Sequence, residues 1–278
     1  MDRVRETQRR MWPTARPTVP GLDYYSGWRA GESRDADYLD YFETDEGDFS
    51  LAIGDVVAGS PESGAPGALL LSSLHAMVRS LDADHARGQS ATHPSNALGD
   101  LVHAIHDLFY EVSPEGGYAT LFLARYDPLE RRLDYCNAGH ESPVVLRPAG
   151  DRWRTILLEG GGPVVGVLRR SAYRQFSIRL QPGDILAAYT AGITECRNPR
   201  DEEWGFQRML SAIQAAAELP PRDIVEQVLE EACRFAGGRA PFDSDMTLWL
   251  GRLDKALSTH VPLEAESEVV AEPAALAA

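Results

Sequence analysis

Apolar positions along this chain follow two rhythms, one of period two and one of period three to four. From Gly21 onward, DYYSGWR, DYLDYFE and FSLAIGD alternate apolar with polar residues or run apolar at strand length, and Glu46-Gly47-Asp48 supplies the turn before the last of them. The rhythm then changes. Leu70, Leu74, Met77, Val78 and Leu81 fall on one face of a helix over 66–85. A second helix over 94–112 opens at Pro94-Ser95 and points Leu98, Leu101, Val102, Ile105 and Leu108 inward. A meander of strands follows at 119–127, 131–138, 142–148, 152–159, 173–180 and 184–190. Helices over 204–216 and 221–236 come next, with Trp204 and Phe206 packing the first of them down, and a strand at 245–253 closes the pattern. Strands flank pairs of helices instead of alternating with them. The pattern therefore predicts antiparallel sheets with helices segregated to outer faces, and not a doubly wound parallel fold.

The flanks read differently. Residues 1–12 are a short polar helix candidate stopped by Pro13, and 13–20, PTARPTVP, are extended by their prolines. Residues 21–254 form one uninterrupted unit, and 255–278 are a tail of Ala, Glu, Val and Pro expected to be disordered. No apolar run reaches membrane-spanning length and the N-terminus lacks a signal-peptide core. Cys136, Cys196 and Cys233 are odd in number, far apart and without metal-ligand spacing, which predicts reduced thiols in the cytoplasm. A net charge of −15 argues against a nucleic-acid groove and suits a protein with affinity for divalent cations.

Four acidic segments fall at strand ends: Ala36-Asp37-Tyr38-Leu39-Asp40, Ile53-Gly54-Asp55-Val56, Tyr189-Thr190-Ala191-Gly192-Ile193-Thr194-Glu195, and Asp243-Ser244-Asp245-Met246-Thr247. Any one of them is most simply a solvated turn. Together they place carboxylates and a backbone carbonyl where a hard cation such as Mg²⁺ or Mn²⁺ would bind. In order and spacing these segments, with Asn137-Ala138-Gly139-His140 between them, resemble the SpoIIE/RsbU-type branch of the PPM (PP2C-like) serine/threonine phosphatases, whose motifs are G-D-Y-Y-D, I-G-D-V-x-G-[KH]-G, N-A-G-H, Y-T-D-G-[IV]-T-E and D-D-x-T. Gln8 to Pro20 also resembles the linker helix that precedes the catalytic domain in that family.

The resemblance implies a four-layer α-β-β-α sandwich of two antiparallel sheets, an α+β fold. It also implies a two-metal site between the sheets, where metal-activated water attacks a phosphoserine or phosphothreonine. On this pattern Asp55 bridges the metals, and Asp37 with the Val56 backbone carbonyl completes one site. The other site departs from the family. Its two aspartates are replaced by Ala191, which offers no oxygen, and Ser244, which offers a neutral hydroxyl. Asp243 and Asp245 are substitute ligands only if a bulge or register shift turns them inward. The loop after Val57 is longer than the family's, lacks its basic residue and carries Glu62. Expected, then, are one Mg²⁺ or Mn²⁺ and weak phosphatase activity on a phosphorylated regulatory protein, an anti-sigma-factor antagonist in partner switching. The alternative is a pseudophosphatase that only binds such a partner. Regulation is expected through a partner or through a homodimer made by residues 1–12.

Other residues carry weaker signals. His140 is a turn residue before it is a general acid. Gly160-Gly161-Gly162 lacks the Lys and helix start of a phosphate loop and reads as a flexible hairpin. His103 and His106, three apart, read as helix packing more than zinc binding, and His75, His85 and His93 as surface residues.

Overall fold

The computed structural model describes residues 12–13, 16–31, 36–43, 47–57, 96–113, 117–238, 242 and 244–255. The expected helix over 66–85, the N-terminal helix, Glu62, Asp243, the tail, His75, His85 and His93 lie outside these residues.

The strands are β1 (Leu22–Arg29), β2 (Ala36–Glu43), β3 (Phe49–Val57), β4 (Tyr118–Asp127), β5 (Arg132–Ala138), β6 (Val144–Ala149), β7 (Arg152–Leu157), β8 (Gly161–Gly162), β9 (Phe176–Arg179), β10 (Ile185–Tyr189) and β11 (Met246–Leu253). The helices are α1 (Ala97–Val112), α2 (Ala191–Thr194), α3 (Phe206–Ala215) and α4 (Pro221–Phe235). One sheet runs β1-β11-β10-β6-β7 and the other β2-β3-β4-β5-β8, with β9 also on β5. Every named pair is antiparallel except β5 with β8, which is parallel.

Three apolar layers hold these elements in the order helix, sheet, sheet, helix. On β11, Met246, Leu248 and Leu250 face α3 and α4, where they meet Ile213, Ile224, Val228 and Leu229. The opposite parity, Trp249 and Leu253, points between the sheets and meets Phe49, Leu51, Ile53 and Phe122 from the second sheet. Beyond that sheet, Ala52, Val56, Leu121 and Leu123 pack on Leu98, Leu101, Val102, Ile105 and Phe109 of α1. Phe109, and not Leu108, closes this stripe. Alternation by two along strands and by three or four along helices produces all three layers. Each fully buried aliphatic side chain contributes about 1.5–3 kcal/mol. At the centre Trp249 stacks on Phe49 at 6.0 Å and lies 5.8 Å from Tyr24.

Helix ends follow local chemistry. Pro221 opens α4 at a position where its missing N–H costs nothing, and Gly237 (φ 99°) and Gly238 (φ 70°) end it in the left-handed region. Inside the fold, Arg147 clamps the fully buried Asp184 through Nε and Nη2 at 2.8–3.2 Å, joining β6 to the start of β10.

One expectation changes here. The segment 160–162 is no flexible hairpin. Gly161 pairs with Asn137 so closely that a Cβ would lie 2.2 Å from the Asn137 carbonyl oxygen, and Gly160 and Gly161 both have positive φ. The glycines let this segment pass closely against β5. Part of the proline-rich stretch packs on the fold: Val19 is buried in the core between the sheets, Tyr24 donates to the Pro17 carbonyl at 2.6 Å, and Trp12 lies 5.7 Å from Trp28.

Candidate active site

The parity that fills the inter-sheet core turns polar at one end of the sandwich. Leu39 and Asp37 share a face of β2, as do Ile53 and Asp55 on β3, Phe122 and Thr120 on β4, and Tyr135 and Asn137 on β5. From the other sheet, Leu186 and Ala188 lead to Thr190, and Trp249 leads back to Thr247. Asp37 stands directly opposite Asp55, and Asp55 directly opposite Thr120. The carboxylates are therefore cross-strand neighbours on one face, at the separation typical of such pairs, about 4.5–5.5 Å between Cβ atoms.

Asp37 is buried, and its Oδ2 accepts hydrogen bonds from the hydroxyls of Thr190 and Thr247, each at 2.6 Å. Thr190 also joins the two strand ends: its N–H donates to the Thr247 carbonyl and its Oγ1 accepts from the Thr247 N–H, both at 3.0 Å. Burial pushes the Asp37 carboxyl well above the usual carboxylate range. The charges of Asp55 and Asp245 add to this, and the two hydroxyls oppose it. Glu141, beside His140, is also raised, by burial and by Glu195. This end of the molecule concentrates negative charge.

The backbone of α2 at Gly192 lies against Ser244 and Asp245. A Cβ on Gly192 would sit 1.9 Å from the Asp245 carbonyl oxygen and 3.3 Å from Ser244 Cβ, so only glycine allows α2 to approach the segment before β11. That segment corrects the expected alternation around Ser244. Strand β11 begins only at Met246, so Ser244 and Asp245 precede the pleat and strand parity does not fix their side chains. Asp245 is buried, accepts from the Gly31 N–H at 2.7 Å, and acts electrostatically on Asp37. Strand β3 also continues past Asp55 to Val57, so Asp55 is not at a free strand end. Val56 stands between Ala36 and Ala119. Because Ala119 exchanges both its backbone bonds with Val165, the Val56 carbonyl points toward the Ala36 side. Asp40, the last acid of the first motif, lies on the other face of β2 and accepts from the Tyr41 N–H.

Asn137 and His140 close a turn on each other: Asn137 Nδ2 donates to the His140 carbonyl at 3.0 Å, and the His140 N–H donates to Asn137 Oδ1 at 2.8 Å. Gly139 at the corner has φ 70° and faces Val164 too closely for a side chain. His140 Nδ1 lies 3.0 Å from Thr120 Oγ1, which also accepts from the Asp55 N–H at 3.1 Å. Burial pushes the His140 imidazole down to about 4, against a smaller opposing influence of the Tyr189 backbone. A neutral, buried ring of that acidity is no general acid near neutrality. Thr120, Thr190 and Thr247 carry no sequence signal beyond strand parity, which places each beside an aspartate.

The donor set suits a hard cation, being all oxygen. Among the described residues no group of three or more His, Cys, Asp or Glu side chains converges closely enough to hold a metal. Asp37 and Asp55 are two facing carboxylates of the kind a hydrated divalent ion takes, and Ala191 and Ser244 bring no carboxylate. The two helix histidines form no ligand pair. His106 is buried, with Nδ1 2.9 Å from the Tyr173 hydroxyl and 3.2 Å from the Gly166 N–H, while His103 is exposed with its ring parallel to it at 6.4 Å. Trp204 is buried and Phe206 stacks on Tyr189 at 6.2 Å, a packing role as expected.

Two mostly antiparallel sheets between helices, with a facing aspartate pair at one end of the space between them, define the PP2C-like class of fold. The chain belongs to the SpoIIE family: the profile of Stage II sporulation protein E matches residues 45–254. It is 26% identical over 190 residues to the phosphoserine phosphatase RsbU of Bacillus subtilis, covering 68% of this chain and 52% of that one. The chain spans 38% to 52% of the length of the curated relatives it matches. Among solved structures, the RsbU and RsbW domains of a Mycobacterium tuberculosis protein superpose with a TM-score of 0.66 at 21% identity, covering 86% of this chain and 62% of that one. The catalytic domain of the serine/threonine phosphatase PstP, solved with 2 manganese ions, superposes at 0.58 with 14% identity over 84% and 98% of the two chains. No helix among the described residues is long and apolar enough to cross a membrane.

Proposed function

We propose that this chain is a divalent-cation-dependent phosphatase of phosphoserine or phosphothreonine in a regulatory protein, with a reduced metal site and weak turnover. The observation that carries it is the facing of Asp37 and Asp55 at the polar end of the inter-sheet space, in a chain of the SpoIIE family. Asp55, Asp37 and the Val56 carbonyl would hold one Mg²⁺ or Mn²⁺, with Asp245 as an outer neighbour. A divalent ion, when bound, supplies a water of lowered pKa and screens the phosphoryl charge. The chain's own part is to hold the two carboxylates together against their repulsion, through Thr190 and Thr247 on Asp37 and Thr120 on the Asp55 backbone. With Ala191 and Ser244 in place of carboxylates, the second ion has no clamp, and phosphate-monoester hydrolysis is slow enough without catalysis for that loss to matter. The substrate class in this reading is a serine-phosphorylated antagonist of an anti-sigma factor, in the cytoplasm, as the family resemblance implies; the relatives named phosphoserine phosphatases support the phosphoserine part of it. Dimerisation through residues 1–12 is part of the same proposal.

Ala191 and Ser244 favour a second reading, a pseudophosphatase that binds such a partner without turning it over. One experiment separates the two. Calorimetric Mn²⁺ titration of the native chain is expected to count one ion, Asp55→Asn none, and Ala191→Asp with Ser244→Asp two. Turnover of a phosphoserine protein should rise by roughly 10²–10³ in the repaired chain, the usual worth of one good transition-state contact. Native turnover that is absent while one ion binds selects the pseudophosphatase. Two ions in the native chain, with turnover equal to the repaired one, overturn the reduced-site reading.

A further inference from the structure

We propose that Thr120 and His140 are positioning residues for Asp55, joined in a relay that runs from the Asp55 N–H through the Thr120 hydroxyl to His140 Nδ1. The relay stands on its own geometry; its bearing on cation binding rests on the function proposed above. The Asp55 N–H donates to Thr120 Oγ1 at 3.1 Å, and Thr120 Oγ1 lies 3.0 Å from His140 Nδ1. With one lone pair of Thr120 Oγ1 taken by the Asp55 N–H, the hydroxyl still has a second lone pair and its proton for Nδ1, so the contact holds in either imidazole tautomer and leaves Nε2 outside the relay. That nitrogen is buried and meets no hydrogen-bond partner among the described residues. The ring is pre-oriented by the reciprocal Asn137–His140 bonds and by the Gly139 corner pressed against Val164.

The arrangement answers a specific difficulty. Asp37 and Asp55 repel each other across one strand pair, and Asp37 is braced by two hydroxyls from the opposite sheet. Asp55 is the third residue from the end of β3 and pairs with Thr120 of β4. A backbone bond to Thr120, itself tied to a rigid turn, fixes the peptide that carries the carboxylate. His140 then acts through Thr120 and touches no reacting atom. Outer-shell partners of this kind typically change metal affinity about 10–100-fold when removed.

The test uses the full chain, with Mn²⁺ affinity read by calorimetry and Asp55 amide exchange read by ¹⁵N NMR. Thr120→Ser keeps the hydroxyl and is expected to match the native protein in both. Thr120→Val keeps the branched shape a strand favours and removes the relay. It should speed Asp55 exchange about tenfold, the worth of one hydrogen bond, and weaken Mn²⁺ about 10–100-fold. His140→Phe should move both readings in the same direction, and the double variant should be no worse than Thr120→Val alone, since both act on one route. Exchange at Leu51 and Ala124, deep in the same sheet, should stay as in the native chain. Native exchange at Asp55 in Thr120→Val, no rescue by Thr120→Ser, or losses that add and spread to Leu51 and Ala124 would each overturn the relay. If the native chain takes up no Mn²⁺, the proposed function fails, and Asp55 exchange alone still decides the relay.

Discussion

Replacing His140 by phenylalanine should remove much of the acid sensitivity of the metal-free fold. The imidazole drops from an ordinary 6.5 to about 4 because it is desolvated, so the unfolded chain binds a proton in a range where the folded one does not. For a histidine whose folded value is depressed, the stabilising contribution is full above the unfolded value of 6.5 and is lost as pH falls toward 4. The total imbalance is about 3 kcal/mol, of which about 2 kcal/mol is lost between pH 7 and 5. In a domain of this size that corresponds to a fall in Tm of about 4–8 °C. Asp37 works the other way in the metal-free protein. Its raised carboxyl contributes most below its unfolded value and loses that contribution as pH rises. Urea unfolding of both proteins at pH 7, 6 and 5 cancels Asp37 and every other shared group in the difference. His140→Phe should start less stable, having lost the Thr120 contact, and the gap should close by about 2 kcal/mol on going to pH 5. Parallel pH profiles for the two proteins would refute the assignment of a neutral, buried imidazole.

Three further outcomes are expected. Arg147→Ala leaves Asp184 fully buried without its guanidinium and should cost about 3–5 kcal/mol by urea unfolding. Leu229→Ala, at a fully buried position between α4 and its sheet, should cost about 2–5 kcal/mol, with the spread set by how far the helix can settle. Arg131→Gly should be neutral to stabilising by up to about 1 kcal/mol in thermal unfolding, because Arg131 holds φ 52° in the turn between β4 and β5, where a side chain is strained.

Periodicity made most of the described strands and helices legible, because each buries one face and so writes its period into the sequence. What escaped it lacks a face. Strand β8 is two glycines chosen for thinness, and α2 is a single turn whose Gly192 is fixed by the nearness of Asp245. The site was half legible. Asp37 and Asp55 stood out as acids at the ends of apolar runs, but that they face each other is a matter of register, set by two strands pairing along their whole length. The threonines escaped notice because a hydroxyl in a strand is ordinary until a carboxylate from another strand arrives beside it. Asp245 falls just before β11, where strand parity no longer sets the direction of a side chain.

The bonds from Thr190 and Thr247 to Asp37 join the two sheets, since the threonines stand on one and the aspartate on the other. The same oxygen-rich residue that would grip a cation is thus also a rivet across the sandwich. An Asp37 variant that loses phosphatase activity would therefore be ambiguous, because an emptied ligand position and a sprung seam between the layers read alike in a turnover assay. Pairing Thr190→Val with Thr247→Val, which pulls the rivet and spares both carboxylates, isolates the mechanical half of Asp37's work.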